Sequence, residues 1–419
     1  MGAAISGVRQ LLFDLYSEAL RAVEGRRLVR DYLRSRSMSA PVVVVAIGKA
    51  AVSMAWGAVD ALGGGISRGL VITKRGYCGP SSPFPCLQAG HPIPDAGSLA
   101  AGEQLLELIS STSADAQFLF LISGGSSALV ELLPEGMSLA DLERVNSWLL
   151  GSGLDIAAVN TVRKRISRIK GGRLAEVVNG RDALNLMISD VPGDTPATIG
   201  SGLLVPDGST DILEAATLPR WLHELISRSP PLPTASCFRT IENVILAGNR
   251  HALEAVAAAA SGLGLSIHLH PEPFEGDAVL LGRAFARQVM LGSTGLYLWG
   301  GESTVVLPST PGRGGRNQSL ALAAAQQLAG KEGILFLSAG TDGSDGPTED
   351  AGALVDGGTQ ERGEHAGLAA AECLRRADAG TFLKAAGDLI HTGPTGTNVM
   401  DLVLALKVEG EHQMSGVPT

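Results

Sequence analysis

The chain has 419 residues, more than a single hydrophobic core usually holds, so its length favours two domains. Apolar residues make up 45% of it and charged residues 18%, which excludes an intrinsically disordered chain. The formal net charge is −9 and no run rich in lysine or arginine interrupts it. This argues against a nucleic-acid partner, and it means that an anionic substrate would need a local basic pocket.

Targeting signals and cysteine spacing give the expected location. No apolar run approaches the ~20 residues needed to cross a bilayer, and no signal-peptide pattern opens the chain. We therefore expect a cytoplasmic protein with no membrane partner. The four cysteines contain no Cys-x-x-Cys pair and are expected to be thiols. Ala-rich helices would permit a homodimer interface without locating one.

The first half of the chain alternates between helical and strand patterns. Apolar residues spaced near 3.6 predict one helix over 5–33, and Val42–Ile47 is a continuous apolar run typical of a buried strand. Further strand candidates lie at 69–73, 118–122 and 184–188, with helical patterns between most of them. The alternation predicts an α/β fold with a parallel, helix-covered sheet.

A proline-rich stretch at 229–233 is the clearest break in the pattern, because three prolines in four positions end a helix or a central strand. We therefore predict two domains, 1–235 and 236–419. The second repeats the alternation. Its predicted strands lie at 244–247, 265–268, 295–299 and 334–337, and its predicted helices lie at 251–260 and 318–329.

Short glycine-rich loops follow several predicted strands, and ligands of open α/β sheets bind at such strand ends. Lys49 follows Gly48 at a helix start, where it suits a phosphate or is merely a solvated helix N-terminus. Asp190 directly follows a buried strand, as a Mg²⁺ anchor does, although an Asx turn or a helix cap has the same pattern.

Two more loops in the first half and one basic cluster bear polar groups. Residues 123–127, Ser-Gly-Gly-Ser-Ser, predict an anion-binding nest or a tight turn with a serine helix cap. His91 lies in a rigid Gly-His-Pro-Ile-Pro-Asp loop and, taken alone, is more typical of a structural histidine. The basic residues between 160 and 173, Lys170 among them, indicate an anionic ligand or a solvated helix face.

The second half has loops of the same kind. Glu302 lies in a Gly-Gly-Glu-Ser-Thr segment after a strand, and Arg316-Asn317 opens a helix after a glycine-rich approach. An arginine at such a position suits a phosphate or carboxylate because its guanidinium is a planar, bidentate fork. Asp342 and Asp345 lie among three glycines behind another strand.

The recurrence of these loops in both halves indicates phosphoryl transfer. That reaction needs positioning and charge neutralisation more than covalent chemistry, and Lys, Arg and Asp on strand-end loops supply both. The sequence contains neither a G-x-S-x-G elbow of hydrolases nor a G-x-G-x-x-G dinucleotide fingerprint.

Seven such segments are each a weak signal, but their combination in this order along the chain is highly specific. They are residues 46–50, 90–95, 123–128, 170–173, 189–194, 315–318 and 341–348. In this order the segments resemble the class II glycerate kinases, also called the MOFRL family. The resemblance runs from about Val8 to Lys407, nearly the whole chain.

The resemblance implies a Rossmann-like N-terminal domain, a smaller C-terminal α/β domain and an active site in the cleft between them. It implies ATP, Mg²⁺ and glycerate as reactants, with 2-phosphoglycerate as the product. By motif position, Lys49 and Arg316 would be the catalytic cations, and Asp190 would hold Mg²⁺ directly or through water. The positions expected to bind substrate or nucleotide are Gly48, His91, Ser123, Gly124, Gly125, Ser126, Ser127, Lys170, Glu302, Asn317, Asp342 and Asp345.

The sequence thus predicts an ATP-dependent glycerate 2-kinase, and two alternatives stay open. One is an NAD(P)-dependent hydroxypyruvate reductase, a label that some members of the family carry, although the nicotinamide fingerprint is missing here. The other is a non-catalytic protein that binds a sugar acid or a nucleotide. Glycerate consumption without a change in NADH would dismiss the first, and tight binding without turnover would identify the second.

Overall fold

The computed structural model describes residues 2–38, 41–79, 81–154, 156–208 and 218–409. They divide into two compact units. The parallel-sheet unit comprises residues 24–248 together with 396–398. The mixed-sheet unit comprises the described residues up to 23, residues 249–395 and those from 399 onward. No helix in the described ranges is both long and apolar enough to cross a membrane.

The parallel-sheet unit has a six-stranded sheet in which every pairing is parallel. Its strands are β1 Val42–Ile47, β2 Ile66–Lys74, β3 Cys86–Ala89, β4 Gln117–Ile122, β5 Ala183–Ile188 and β6 Ile241–Ala247. Their order across the sheet is β3-β2-β1-β4-β5-β6, which is the doubly wound Rossmann order. The predicted α/β fold with a parallel first sheet is therefore confirmed.

The helices of this unit bury the central strands of the sheet on both faces. They are α2 Gly25–Arg34, α3 Ala51–Leu62, α4 Ala96–Ser110, α5 Ser126–Leu129, α6 Leu139–Gly151, α7 Ile156–Arg165, α8 Leu174–Val178 and α9 Arg220–Ile226. Three of them, α6, α7 and α9, pack with one another in a separate apolar cluster. Every residue of β1 and of β5 is buried. The unbroken apolar run of β1 follows from that burial, because a strand covered on both sides has no polar face, whereas β5 includes one buried polar residue, Asn185.

The mixed-sheet unit has a seven-stranded sheet. Its strands are β7 Ile267–Leu269, β8 Phe274–Asp277, β9 Gly295–Thr304, β10 Ile334–Gly340, β11 Gly352–Asp356, β12 Leu389–Ile390 and β13 Asp401–Lys407. The order is β12-β11-β10-β13-β9-β7, with β8 also paired to β9. Strands β7 and β8 run parallel to β9, whereas the other pairings are antiparallel.

The helices of the mixed-sheet unit include the first helix of the chain. They are α1 Gly2–Ala22, α10 Asn249–Gly262, α11 Ala278–Leu291, α12 Arg316–Leu328, α13 Thr359–His365, α14 Ala370–Arg375 and α15 Ala379–Ala386. Helix α12 is buried almost all round, since ten of its residues are buried, among them Asn317, Gln318 and Ser319. Its N-terminus, where Arg316 lies, is therefore fixed by the core of this unit.

The helix predicted over residues 5–33 is two helices, α1 and α2. The side chain of Glu24 accepts hydrogen bonds from the backbone N–H groups of Arg26 at 2.9 Å and Arg27 at 2.8 Å. This carboxylate caps a new helix, so the chain breaks before Gly25 although the apolar period continues. The two helices belong to different compact units.

The compact units also differ from the predicted division at residue 235. Strand β6 lies after the prolines but pairs with β5, in register from Ala183 and Ile241 onward. The parallel-sheet unit therefore continues to residue 248. A proline break marks the end of a local element, whereas sheet membership is decided by a non-local pairing.

The prediction that all four cysteines are thiols is wrong for two of them. Cys78 and Cys86 form a disulfide, with their Cα atoms 6.0 Å apart. Cys237 and Cys373 are free cysteines. Cysteine usage therefore gives no support to the predicted cytoplasmic location, because disulfides are typical of oxidising compartments.

Candidate active site

Strands β1 and β4 are adjacent at the centre of the parallel sheet, and the chain order reverses between them. Such a switch point opens a crevice at the carboxyl ends of the strands, where ligands of doubly wound folds bind. Ile47 at the end of β1 is in register with Ile122 at the end of β4, and Ile122 is in register with Met187 of β5. The loops that carry Lys49, Ser123 and Asp190 therefore leave the sheet side by side.

The turn after β1 is fixed to the turn after β4 by backbone hydrogen bonds. The backbone N–H of Lys49 donates to the carbonyl of Gly124 at 2.9 Å. The next N–H, that of Ala50, donates to the hydroxyl of Ser123 at 3.0 Å, and Ser123 is fully buried. Lys49 itself is half-buried. Its backbone is thus held rigidly, independently of its ammonium group.

Gly124 and Gly125 bring the predicted groups together. A Cβ atom on Gly124 would lie 2.2 Å from Oδ2 of Asp190 and 1.9 Å from Nδ2 of Asn398, so no side chain fits there. Gly125 has a φ of 84°, and a Cβ on it would lie 3.0 Å from Nε2 of His91 and 3.5 Å from Cγ of Lys49. One glycine pair therefore contacts Asp190, His91 and Lys49. We call it the glycine turn.

Asn398 holds the carboxylate of Asp190 at the glycine turn. Its Nδ2 donates to Oδ2 of Asp190 at 3.0 Å. Asn398 is one of the three residues, 396–398, that join the parallel-sheet unit from the far end of the chain. The sequence shows a hydroxyl-rich loop ending at this residue but contains no signal for its partner.

A cavity of about 230 Å³ adjoins Gly125. Its lining residues come from the histidine loop, from the start of α5 and from α6, α7 and the segment after α7. They are His91, Pro92, Pro94, Gly125, Ser127, Ala128, Glu131, Leu142, Asn146, Arg163, Ile166 and Lys170. The cavity is smaller than the roughly 300–1,000 Å³ typical of sites for drug-sized ligands, so its size suits a small molecule.

Lys170 and Glu131 form a buried ion pair in the wall of this cavity. The ammonium group of Lys170 donates to the carboxylate of Glu131, which also accepts from the hydroxyl of Ser167 and from the N–H of Leu132. Both charged side chains are almost completely inaccessible. The charge of Lys170 is thus compensated within the protein.

Ser126 and Ser127, which follow the glycine turn, differ in their surroundings. The hydroxyl of Ser127 lies 2.6 Å from that of Ser201. The hydroxyl of Ser126 is buried and has no hydrogen-bond partner within the described ranges. Ser126 therefore does not face solvent, whereas Ser127 lines the cavity.

Arg316 is the charged centre of the mixed-sheet unit. Its Nε donates to Oδ2 of Asp401 at 2.7 Å and its Nη2 donates to Oδ1 at 3.2 Å, a bidentate pair. Its Nη1 forms a second ion pair with Glu302. Asp401 is buried and Glu302 is partly exposed. The two carboxylates raise the pKa of Arg316 against the opposing effect of burial.

Asp345 and Asn317 are occupied in holding the start of α12. The carboxylate of Asp345 accepts from the backbone N–H groups of Asn317 at 3.1 Å and Gln318 at 2.8 Å. Oδ1 of Asn317 accepts from the hydroxyl of Ser338 at 2.7 Å. Burial, reinforced by the charge of Asp401, raises the pKa of Asp345 to about 7, although the two N–H groups oppose this. These side chains position Arg316.

Asp342 is a further buried carboxylate of the mixed-sheet unit. Its Oδ1 accepts from the N–H of Ser344 at 2.9 Å. The hydroxyl of Tyr16 donates to the carbonyl of Gly340 at 2.8 Å. Burial and the charges of Asp342 and Asp401 raise the pKa of Tyr16 far above its usual value. Tyr16 therefore stays protonated and acts as a donor.

Within the described ranges, no group of three or more His, Cys, Asp or Glu side chains is placed to hold a metal ion. Mg²⁺ requires no such group when phosphates are bound, because it usually takes one or two carboxylates plus phosphate and water oxygens. A single carboxylate at the switch point, that of Asp190, fits this pattern.

The predicted residues fall into two sets, apart from Ser126, whose hydroxyl is buried and does not line the cavity. The parallel-sheet unit brings together Gly48, Lys49, His91, Ser123, Gly124, Gly125, Ser127 and Asp190, with Lys170 in the cavity wall. The mixed-sheet unit holds Glu302, Arg316, Asn317, Asp342 and Asp345. Sequence reasoning missed Asn146, Arg163 and Asp401. Of these three, only Arg163 had a signal in the sequence, because it belongs to the basic cluster between residues 160 and 173.

Two family models match this chain. A domain family of unknown function, DUF4147, matches residues 11–225, and the MOFRL family matches residues 295–401. The chain is 36% identical over 96% of its length to D-glycerate 2-kinase of Thermotoga maritima, and covers 99% of that protein. It belongs to the class II glycerate kinase, or MOFRL, family.

Other members of the MOFRL family agree in length and fold. Glycerate 2-kinase of Pyrococcus horikoshii is 33% identical over 95% of this chain and 97% of its own. The crystal structure of glycerate kinase from Thermotoga maritima superposes with a TM-score of 0.83 at 35% identity, covering 96% of this chain and all of that one. A relative from Agrobacterium vitis, 37% identical over 94% of this chain and 93% of its own, has a provisional name as a hydroxypyruvate reductase.

Proposed function

We propose that this protein is an ATP-dependent glycerate 2-kinase. It transfers the γ-phosphoryl group of ATP to the 2-hydroxyl of glycerate and yields 2-phosphoglycerate and ADP. The observation that carries the proposal is the glycine turn, where Lys49, His91 and Asp190 meet at the switch point beside a small polar cavity. The names of the relatives support the same activity.

Lys49 supplies positive charge to the reacting phosphoryl group. Phosphoryl transfer proceeds through a loose transition state, so fixed cations and alignment of the two oxygens matter more than a strong base. The turn that bears Lys49 is held by the backbone of Gly124 and the hydroxyl of Ser123, so the backbone from which this cation extends is fixed. Such a group needs little reorganisation when charge develops.

Arg316 is the proposed second catalytic cation. Its bidentate pair with the buried Asp401 sets the direction of the guanidinium. Its other pair is with Glu302, whose side chain is 44% exposed. An exposed ion pair of this kind contributes little free energy, so a phosphate oxygen can replace Glu302 at low cost.

Asp190 is the proposed anchor for Mg²⁺, directly or through water. Held there, Mg²⁺ would supply neutralisation of the charge on the triphosphate. The amide of Asn398 fixes one oxygen of Asp190. The neighbouring Gly124 leaves space for close approach to this carboxylate, because any side chain there would overlap it.

The cavity beside Gly125 is the proposed acceptor site. Its volume suits a three-carbon acid better than a nucleotide, and His91, Ser127 and the basic groups of its wall offer polar contacts.

A cytoplasmic location and a homodimer stay predictions from the sequence.

A coupled ADP-release assay across small hydroxy acids tests the function. With ATP and Mg²⁺, we expect ADP release that depends on glycerate and stops when EDTA is in excess, since the triphosphate charge is then not neutralised. Full activity in EDTA would contradict the metal requirement.

The same samples distinguish the reductase. Hydroxypyruvate with NADH or NADPH should leave the absorbance at 340 nm unchanged, because the chain lacks the dinucleotide fingerprint. Steady oxidation of NADH together with no ADP release would replace the kinase by a reductase.

A further inference from the structure

The wall of the cavity holds one positive charge that the described residues do not compensate. The buried pair of Lys170 and Glu131 is neutral as a whole, and Glu131 is further satisfied by Ser167 and Leu132. The remaining permanently charged side chain in the lining is Arg163.

Arg163 lies on α7, two residues before its end, and is half-buried. No carboxylate within the described ranges forms an ion pair with it, and burial alone accounts for the lowering of its pKa. Arginine nonetheless stays protonated in proteins. Its neighbour Lys164 shows the usual arrangement for a buried cation, since its ammonium group lies 3.1 Å from Oδ1 of Asp207. A desolvated cation without a counter-ion is unfavourable unless a ligand supplies the negative charge.

A second donor in the same wall is also without a partner. Nδ2 of Asn146, on α6, is buried and makes no hydrogen bond to any described residue. Asn146 lines the cavity together with Arg163. A guanidinium fork and an amide N–H₂ are donors, and a carboxylate is the small group with acceptor sites for both.

We propose that Arg163 binds the carboxylate of the acceptor, with Asn146 as a further donor, and that this contact selects an acid over an uncharged polyol. The proposal rests on the proposed function for the identity of the acceptor. It gives Lys170 a different role from Arg163: Lys170 neutralises Glu131 and shapes the wall, whereas Arg163 meets the ligand.

The contact also determines which hydroxyl reacts. The 2-hydroxyl is on the carbon bonded to the carboxyl group, so anchoring the carboxylate restricts the position of the 2-oxygen. The 3-hydroxyl is separated by one more rotatable bond and is less restricted. Loss of Arg163 should therefore lower the selectivity for the 2-position as well as the affinity for glycerate.

The test compares Arg163→Gln with Arg168→Gln, a matched control on an exposed arginine of the same segment. For Arg163→Gln we expect the KM for glycerate to rise on the order of 100-fold with the KM for ATP unchanged, as for truncation of one partner of a desolvated charge pair. Glyceramide, the neutral amide of glycerate, should lose no efficiency in this variant. Arg163→Lys should recover part of the affinity, because it keeps the charge but not the planar fork.

Two further measurements distinguish ligand binding from a structural role. The melting temperature of Arg163→Gln should equal or exceed that of the wild type, because an uncompensated half-buried charge is removed. Phosphorus NMR of its product should show a 3-phosphoglycerate fraction that the wild type and Arg168→Gln lack. A lower melting temperature with an unchanged KM for glycerate would overturn the proposal.

Calorimetric titration of glycerate without ATP separates the inference from the proposed function. If the wild type releases no ADP with glycerate, the kinase function fails, and binding of glycerate lost in Arg163→Gln would still support the site. If the wild type turns over and Arg163→Gln binds glycerate equally well, the kinase function stands and the inference is overturned.

Discussion

Lys49 and Arg316, the two proposed catalytic cations, are held in different ways. The turn of Lys49 is fixed by backbone hydrogen bonds to Gly124 and by the hydroxyl of Ser123, none of which involves its ammonium group. Arg316 is instead held through its own guanidinium, by Asp401 and Glu302. The backbone position of Lys49 is therefore set without its charge, whereas the position of the Arg316 guanidinium is set by its charge. Variants of Lys49 and Arg316 should therefore differ in their effect on stability.

The largest effect is expected for Lys49→Ala. Removing the ammonium group should lower kcat by about 100-fold or more, the scale for one pre-organised electrostatic group, while the free energy of unfolding stays near that of the wild type. Steady-state kinetics and urea denaturation measure the two quantities. Lys384→Ala, on the exposed face of α15, is the control and should resemble the wild type in both. Near-normal kcat in a folded Lys49→Ala would remove this residue from the catalytic set.

Arg316→Met should lower activity and stability together. It leaves the buried carboxylate of Asp401 without its partner, and full burial would make that cost roughly 3–5 kcal/mol. The side chain of Arg316 is 35% exposed, so we expect a smaller loss of about 2 kcal/mol in the free energy of unfolding.

The double variant Arg316→Met with Asp401→Asn checks the origin of this loss. It should regain much of the stability and none of the activity, since the unpaired charge is gone but the cation is still missing. Equal instability of the single and double variants would show that the ion pair is not the cause.

Gly124→Ala tests the glycine turn itself. The new Cβ would overlap Asp190 and Asn398, so we expect a loss of activity and about 1–3 kcal/mol of destabilisation, the usual cost of overpacking. Gly151→Ala, where a Cβ would meet no atom within 4 Å, should be neutral or slightly stabilising. Wild-type kcat in Gly124→Ala would mean that the close approach to Asp190 is unnecessary.

The last prediction concerns the pH dependence of stability, and not activity, that Asp345 contributes. Its pKa is raised from 3.8 to about 7 in the fold, so the folded state binds a proton that the unfolded chain has already lost in this range. The contribution of Asp345 to stability is therefore fully present below pH 4 and is lost as the pH rises through 7. Melting temperatures from pH 4 to 8 should fall with pH more steeply in the wild type than in Asp345→Asn. Parallel profiles would contradict this, with exposed Asp14→Asn as the control.

The site in the parallel-sheet unit was largely predictable from the sequence. The loops of Lys49, Ser123 and Asp190 follow strongly apolar runs, and such runs mark buried parallel strands whose carboxyl ends meet at one edge. Lys49, Ser123 and Asp190 could therefore be placed together from local pattern alone. Their partner Asn398 could not, because more than 200 residues separate it from Asp190 and no periodicity connects them.

The division of the chain was harder to predict for the same reason. The prolines near 230 end a local element, yet β6 beyond them completes the parallel sheet. Glu24 caps the start of a new helix, α2, although the apolar spacing continues through it, since the cap depends on one carboxylate and not on the period. The role of Lys170 was also hidden, because Glu131, which neutralises it, lies 39 residues earlier without a shared motif.

The most direct test of the central claim is phosphorus NMR of the wild-type protein with ATP, Mg²⁺ and D-glycerate. We expect 2-phosphoglycerate and ADP in equal amounts, with the phosphoglycerate signal absent when glycerate is replaced by glycerol. A product phosphorylated at the 3-position, or ATP left intact while glycerate is bound, would contradict it.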